Sequence, residues 1–223
     1  MNPQLSIRSI TVGPLAVNCY LAFDPETRKA AVIDPGGDGP SILETAAESD
    51  LGIRYILNTH GHCDHTGANV FLREKTGARI GIHENDAPLL ESAELSGART
   101  MRIKYDPHKP DFVFSDGEFV DIGKARLWIM HTPGHSGGCS CFYSPGKKRE
   151  TPVLFSGDTL FAAGIGRTDL FGGNFDNMVK SLKRLVTQLP PETRVFPGHG
   201  PITDLQTEKN SNPYLSGAME DNL

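Results

Sequence analysis

The run His60-Gly61-His62-Cys63-Asp64-His65 follows directly on the largely apolar segment Ile53 to Leu57, and a related order recurs three more times. Arg126 to Met130 precedes Gly134-His135, Val153 to Phe155 precedes Gly157-Asp158, and Arg194 to Phe196 precedes Gly198-His199. A glycine at a strand end lets the backbone fold away and aim the next side chain at a common rim. Four such loops from neighbouring strands meet at one sheet edge. Bringing these side chains together is costly, because each gives up hydration and conformational freedom and imidazoles that charge near neutral pH repel one another. A divalent cation offsets those costs.

Seven donors divide naturally between two ions. His60 and His62, two apart in an extended loop, point the same way and with His135 make a three-histidine site. Asp64, His65 and His199 make the second, and Asp158 bridges, since its two oxygens can satisfy both ions. Asp64 is also assigned the catalytic role. Two divalent ions bring four positive charges, while two carboxylates and a bridging hydroxide bring three negative ones, so net positive charge remains for Lewis acidity. A metal lowers the pKa of bound water from about 15.7 to about 7, which points to hydrolysis. A closed structural zinc site would need only four ligands and leaves the other donors unexplained. His83, His108 and His131 read as surface or satisfied core histidines, His131 with a possible supporting place behind the ligands. Asp34, in Ile33-Asp34-Pro35-Gly36-Gly37, reads either as a turn former or as an acceptor that orients a ligand histidine.

Strand-like segments occur at Ser6 to Val12, Asn18 to Phe23, Ala30 to Asp34, Arg54 to Leu57, Arg79 to Ile82, Glu118 to Ile122, Arg126 to Met130, Ser140 to Tyr143, Val153 to Ser156 and Arg194 to Phe196. Helical periodicity lies between them. Pro40 to Ser49 carries Ile42, Leu43, Ala46 and Ala47; Thr66 to Lys75 opens on a hydroxyl N-cap and turns Val70 and Phe71 inward. Phe175 to Leu189 is the clearest helix, with Met178, Val179, Leu182, Leu185, Val186 and Leu189 spaced by three and four and Pro190-Pro191 as its stop. The fold class that follows is α/β, a four-layer αββα sandwich of two mixed β-sheets with helices on the outer faces. With no visible linker, residues 1–223 read as one domain, and 201–223 as a polar tail that wraps the surface or stays ragged.

At 38% hydrophobic and 22% charged residues the composition is that of a soluble globular chain, and no apolar run approaches the roughly 20 residues of a membrane helix. Met1 to Val12 shows no apolar h-region, so a cytoplasmic location is expected. A net charge of −5 argues against nucleic acid as a partner. The one basic run, Lys147-Lys148-Arg149, reads as a solvated hairpin turn. The four cysteines, Cys19, Cys63, Cys139 and Cys141, have no CxxC spacing and suggest buried thiols, not a disulfide framework.

Thr59-His60-Gly61-His62-Cys63-Asp64-His65, with His135, Asp158 and His199 downstream, resembles the metallo-β-lactamase superfamily, and matches all seven metal-ligand positions of its dinuclear hydrolases. Within it, Thr132-Pro133-Gly134-His135-Ser136, Ser156-Gly157-Asp158-Thr159-Leu160-Phe161 and Gly164-Ile165-Gly166-Arg167-Thr168-Asp169 look like the glyoxalase II-like branch of hydroxyacylglutathione hydrolases, in a short form without the C-terminal helical domain. The resemblance implies two divalent ions, zinc first with iron or manganese as alternatives, and a small-molecule thioester such as S-lactoylglutathione as substrate. It also implies Arg167 as a substrate-binding residue, although Asp169 stands where the branch usually has an aromatic and Pro201 follows the last ligand. A related branch that shows the same Gly-Arg-Thr-Asp run oxidises glutathione persulfide with a single iron, and lactone hydrolysis uses the same hydroxide. The resemblance leaves these as alternatives.

Overall fold

The computed structural model describes residues 5–146 and 150–215, so the basic run at 147–149 lies outside the described residues. The first half of the chain builds one sheet from β1 (Ser6–Val12), β2 (Val17–Phe23), β3 (Lys29–Ile33), β4 (Gly52–Leu57), β5 (Arg79–His83) and β6 (Phe112–Phe114), in that spatial order. The second half builds another from β7 (Phe119–Ile122), β8 (Ala125–His131), β9 (Ser140–Ser144), β10 (Val153–Gly157), β11 (Arg194–Pro197) and β12 (Thr203–Asp204), each beside its sequence neighbour. Both sheets are mixed. β3, β4, β5 and β6 run parallel to one another and β10 is parallel to β11, while β1, β2 and β3 pair antiparallel, as do β7, β8, β9 and β10.

Alternation along the strands sorts side chains into three apolar layers. Between the sheets lie Ala31, Ile33 and Leu57 from the first and Leu127, Ile129, Phe142, Phe155 and Phe196 from the second. On the outer face of the first sheet, Val32, Ile56 and Ile80 meet Ile42 and Ala46 of α1 (Gly39–Glu48) and Leu72 of α3 (Asn69–Thr76). On the outer face of the second, Cys141, Leu154 and Val195 meet Met178, Leu182 and Leu185 of α6 (Phe175–Gln188). This is the expected four-layer αββα sandwich. A strand buried on both sides cannot show polar alternation, which is why β10 and β11 read as short continuous apolar runs. Phe142 and Phe155 are both fully buried, and truncating either to alanine costs about 3–5 kcal/mol.

Short elements escaped the periodic reading. Thr66 does not cap a helix: it ends the one-turn α2 (Cys63–Thr66), its hydroxyl donates to the His62 carbonyl at 3.0 Å, and α3 starts only at Asn69. Leu72 is the fully buried apolar residue of α3, whereas Val70 and Phe71 are half-buried. The turns α4 (Ala87–Leu90) and α5 (Ala98–Met101) carry too few residues for a period to show. Of the expected tail, residues 216–223 lie outside the described residues; between Gly200 and Leu215, β12 pairs with β11 and α7 (Leu205–Ser211) follows, with Leu205 and Leu215 buried against the α6 layer.

Backbone and side-chain hydrogen bonds fasten the sheets at the edge where the donors gather. Ser140 N donates to the Thr59 carbonyl and Asn18 N to the Gly198 carbonyl, each at 2.8 Å. Tyr20 Oη adds another tie, donating to the Pro197 carbonyl at 2.7 Å.

Candidate metal centre

All four donor-bearing loops leave their strands at this edge. The loop after β4 carries His60 and His62 and runs into α2, which presents Asp64 and His65; the loop from β8 to β9 carries His135; Asp158 follows β10 and His199 follows β11. Three overlapping groups result, each with donor atoms within 4.8 Å of one another: His60, His62 and His135; His60, His65 and Asp158; Asp64, His65 and His199. Together they contain all seven residues singled out in the sequence. Asp158 lies between the other two groups, with Oδ1 3.4 Å from His65 Nε2 and Oδ2 3.5 Å from His135 Nε2 and 3.8 Å from His199 Nε2.

Close approach of the backbone makes this convergence possible. Gly157, which precedes Asp158, has φ +49°, and a Cβ on it would lie 2.3 Å from Thr59 Oγ1. Only glycine combines that dihedral with that proximity. Gly198 is equally confined, since its Cβ would lie 2.4 Å from Asp158 Oδ1.

Three of the five rings are turned by a partner at the far nitrogen. Thr59 Oγ1 donates to Asp34 Oδ2 at 2.7 Å, so the oxygen it leaves free accepts from His60 Nδ1 at 3.1 Å. His65 Nδ1 donates to Asp34 Oδ2 at 3.0 Å, and His135 Nδ1 to the Arg167 carbonyl at 2.7 Å. The hydrogen-bond pattern therefore assigns bare Nε2 atoms to His60 and His135, facing the centre. Both readings of Asp34 are realised: it has φ +52° at the turn and it orients His65, while its Oδ1 accepts from Thr59 N at 2.8 Å.

The centre has the polarity of a cation site. His60 Nε2, His65 Nε2 and Asp158 Oδ1 are buried with no hydrogen-bond partner, a costly arrangement unless a ligand completes it. His62 Nδ1 and His135 Nε2 stand 2.8 Å apart, and because His135 Nδ1 donates elsewhere, the proton of that contact sits on His62 Nδ1. Burial and the neighbouring imidazoles, His65 first, push His60 far below the usual histidine range; burial and His135 push His62 down to about 3. Burial opposes protonation of His65 too, but Asp158, Asp64 and Asp34 raise it to about 10. Burial would raise Asp64; His65 and His199 overcome it and hold the carboxyl below the usual carboxylate range. Neutral imidazoles and ionised carboxylates are the forms that bind metal. The residues present fit a pair of divalent ions.

The other histidines lie elsewhere. His83 and His131 stack at 4.0 Å with 12° between their planes, and His131 Nε2 meets the Gly137 carbonyl, not a donor of the cluster. His108 bonds to Asn69 and to the Asp106 carbonyl. All four cysteines are buried free thiols. Arg167 and Asp169 form a bidentate ion pair at 2.7 and 2.8 Å, with side chains 62% and 68% exposed. Asp86, which no sequence pattern marked, joins two of the donor loops: it accepts hydrogen bonds from Gly61 and Gly138.

An αββα sandwich with histidines and aspartates clustered at the shared edge of its sheets defines a metallo-hydrolase architecture. The chain belongs to the metallo-beta-lactamase superfamily, whose family model matches residues 12–199. Among curated relatives, the probable metallo-hydrolase YqgX of Bacillus subtilis is 38% identical over 94% of this chain and 97% of its own length. The hydroxyacylglutathione hydrolase GloC of Haemophilus influenzae is 36% identical over 95% of this chain and 99% of its own, which supports the glyoxalase II-like branch. Among solved structures, the BLEG-1 B3 metallo-beta-lactamase superposes with a TM-score of 0.87 at 34% identity, covering 95% of this chain and all of the other. TTHA1623 in a di-iron-bound form gives 0.83 at 39% identity, covering 93% of this chain and all of the other. No helix among the described residues is long and apolar enough to cross a membrane.

Proposed function

We propose that the chain is a dinuclear metal-dependent thioesterase acting on hydroxyacylglutathione thioesters of the S-lactoylglutathione kind. The observation that carries the reading is the convergence of seven donors in which the far nitrogens of His60, His65 and His135 are already held and the inward atoms of His60, His65 and Asp158 lack partners. His60, His62 and His135 would hold one ion and Asp64, His65 and His199 the other, with Asp158 available to both. Two divalent ions, zinc or iron for this donor set, supply a hydroxide nucleophile near neutral pH and Lewis acidity toward a carbonyl oxygen. Asp64, whose Oδ2 lies 3.4 Å from His199 Nε2, would hold the second ion together with His65 and His199 and so take part in the chemistry that ion would supply.

A full-length match to GloC supports the substrate class. A relative named as a hydroxyacylglutathione hydrolase is matched over 99% of its own length, so almost all of that hydrolase has a counterpart in this chain. The di-iron relative likewise supports two ions per chain. In the proposed cytoplasmic setting the substrate is a small soluble thioester, with neither nucleic acid nor membrane involved.

Metal-replete protein is expected to hydrolyse S-lactoylglutathione, to hold two ions per chain by elemental analysis, and to lose activity on chelation and regain it on metal return. Absence of turnover across a thioester panel overturns the reading. One iron per chain with oxygen uptake on glutathione persulfide would install the dioxygenase reading suggested by Gly166-Arg167-Thr168-Asp169, and ring opening alone would install lactone or β-lactam hydrolysis.

A further inference from the structure

We propose that Asp86 is a positioning residue that sets the geometry of the His60, His62 and His135 donor set. The inference rests on reading that set as a metal site. Asp86 ends the single 3-10 turn Glu84–Asp86 that follows β5, and it is 1% exposed. Its Oδ2 accepts from Gly61 N at 2.9 Å and from Ser136 Oγ at 2.6 Å, and its Oδ1 accepts from Gly138 N at 2.7 Å. Gly61 is the residue between His60 and His62; Ser136 is the residue after His135.

One buried carboxylate thus joins a loop of the first sheet to a loop of the second. The three-histidine set is assembled across that seam, because His60 and His62 come from one sheet and His135 from the other. A metal ion fixes the spacing of its donors to within a few tenths of an ångström, so the seam must be held to similar tolerance before the ion arrives. The packing leaves no slack. A Cβ on Gly138 would lie 2.7 Å from Asp86 Cβ, and one on Gly61 would lie 3.0 Å from the Asp86 carbonyl oxygen.

Asp86 is not itself a donor to the centre, since both its oxygens are turned to the loops and it belongs to none of the donor groups. The Asp64, His65 and His199 set takes its orientation from Asp34 through His65 and has no hydrogen bond to Asp86. The effect of Asp86 is therefore confined to one of the two sets. Asparagine in its place offers one acceptor oxygen to three donors and turns an amide against a backbone N–H.

The test titrates metal-free wild type, Asp86→Asn and Ser136→Ala with cobalt(II) against a competing chelator, following visible absorption. His135→Ala and His199→Ala chains identify which band belongs to which set. Asp86→Asn is expected to lower affinity at the three-histidine set by about 10–100-fold with the other set unchanged, and Ser136→Ala to give a smaller loss at the same set. Two unchanged affinities in Asp86→Asn, or a parallel fall in both, overturn the proposal. Should Asp86→Asn fail to fold, Ser136→Ala decides: a loss at the three-histidine set alone supports the proposal, and any other result overturns it. A wild-type chain that takes up no cobalt overturns the metal reading itself, and the role of Asp86 with it.

Discussion

His65 Nδ1 and Asp34 Oδ2 stand 3.0 Å apart, with neither side chain more than 2% exposed. His65 is a strongly basic imidazole, raised to about 10 by Asp158, Asp64 and Asp34 against the effect of burial. Its stabilising contribution is complete below the unfolded value of about 6.5 and is lost as pH rises through about 10. His62 behaves in the opposite sense. Burial and His135 lower it to about 3, so the unfolded chain binds a proton that the native state refuses, and stability is lost as pH falls from about 6.5 toward 3. Metal-free protein is therefore expected to be most stable near pH 6.5, with lower urea midpoints at pH 4 and pH 9.5. A midpoint that rises steadily across that range would contradict this assignment.

Metal uptake must displace the His65 proton. Near pH 7.5, binding at the Asp64, His65 and His199 set is expected to release about one proton per chain from His65, which is charged there. Calorimetric titration in buffers of differing ionisation enthalpy measures the release directly. Asp34→Asn, which removes one of the three carboxylates holding the proton, is expected to shift the onset of release to lower pH.

Gly198 decides whether the second-sheet loops can approach His65. An added Cβ would lie 2.4 Å from Asp158 Oδ1 and 2.7 Å from His65 Cε1. Gly198→Ala is expected to cost about 1–3 kcal/mol in unfolding and to reduce bound metal on elemental analysis, since relief of the clash must move a donor. Gly137→Ala serves as the control. Nothing lies within 4 Å of a Cβ there, so its stability is expected to stay within about 0.5 kcal/mol of wild type.

The donors were legible in the sequence because four of them crowd into the six residues His60 to His65 and the other three each follow a glycine after an apolar strand. The same holds for α6, whose buried Met178, Leu182 and Leu185 follow helical spacing and whose first turn is capped by Asn174. Asp86 obeys no such rule. Its partners are 25, 50 and 52 residues away, and only folding the two sheets together reveals them. α7 was hidden for a related reason. Its seven residues bury Leu205 and Glu208, too few for an apolar period, and the buried carboxylate reads as a surface charge until its partners are seen.

Those partners make Glu208 a clasp on the loop that follows Asp158. The carboxylate, 1% exposed, accepts from Ala163 N at 2.9 Å, Thr203 Oγ1 at 2.6 Å and Asn212 Nδ2 at 2.8 Å. Ala163 has φ +58°, a dihedral that needs outside support in a residue with a Cβ. Glu208→Ala removes the acceptor of three hydrogen bonds and is expected to destabilise the chain by about 1–3 kcal/mol in denaturant unfolding. Glu208→Gln, which keeps the shape and one acceptor, is expected to lose less.

Arg167 is occupied by Asp169, and this bears on how a glutathione thioester is gripped. The guanidinium and carboxylate meet through two hydrogen bonds, of 2.7 and 2.8 Å, in solvent. A substrate carboxylate has to compete with Asp169 for the same planar fork. Under the thioesterase reading, Asp169→Asn is expected to lower KM for S-lactoylglutathione about two- to fivefold with kcat unchanged, because the freed charge acts on binding and not on the reacting carbonyl. The gain is expected to fade as ionic strength rises. Arg167→Ala in the wild-type background is expected to change KM little, since the residue it removes is already neutralised. Steady-state kinetics on the two variants at low and high salt check both statements, and a kcat that falls with Asp169→Asn would place the pair in the chemistry instead of in binding.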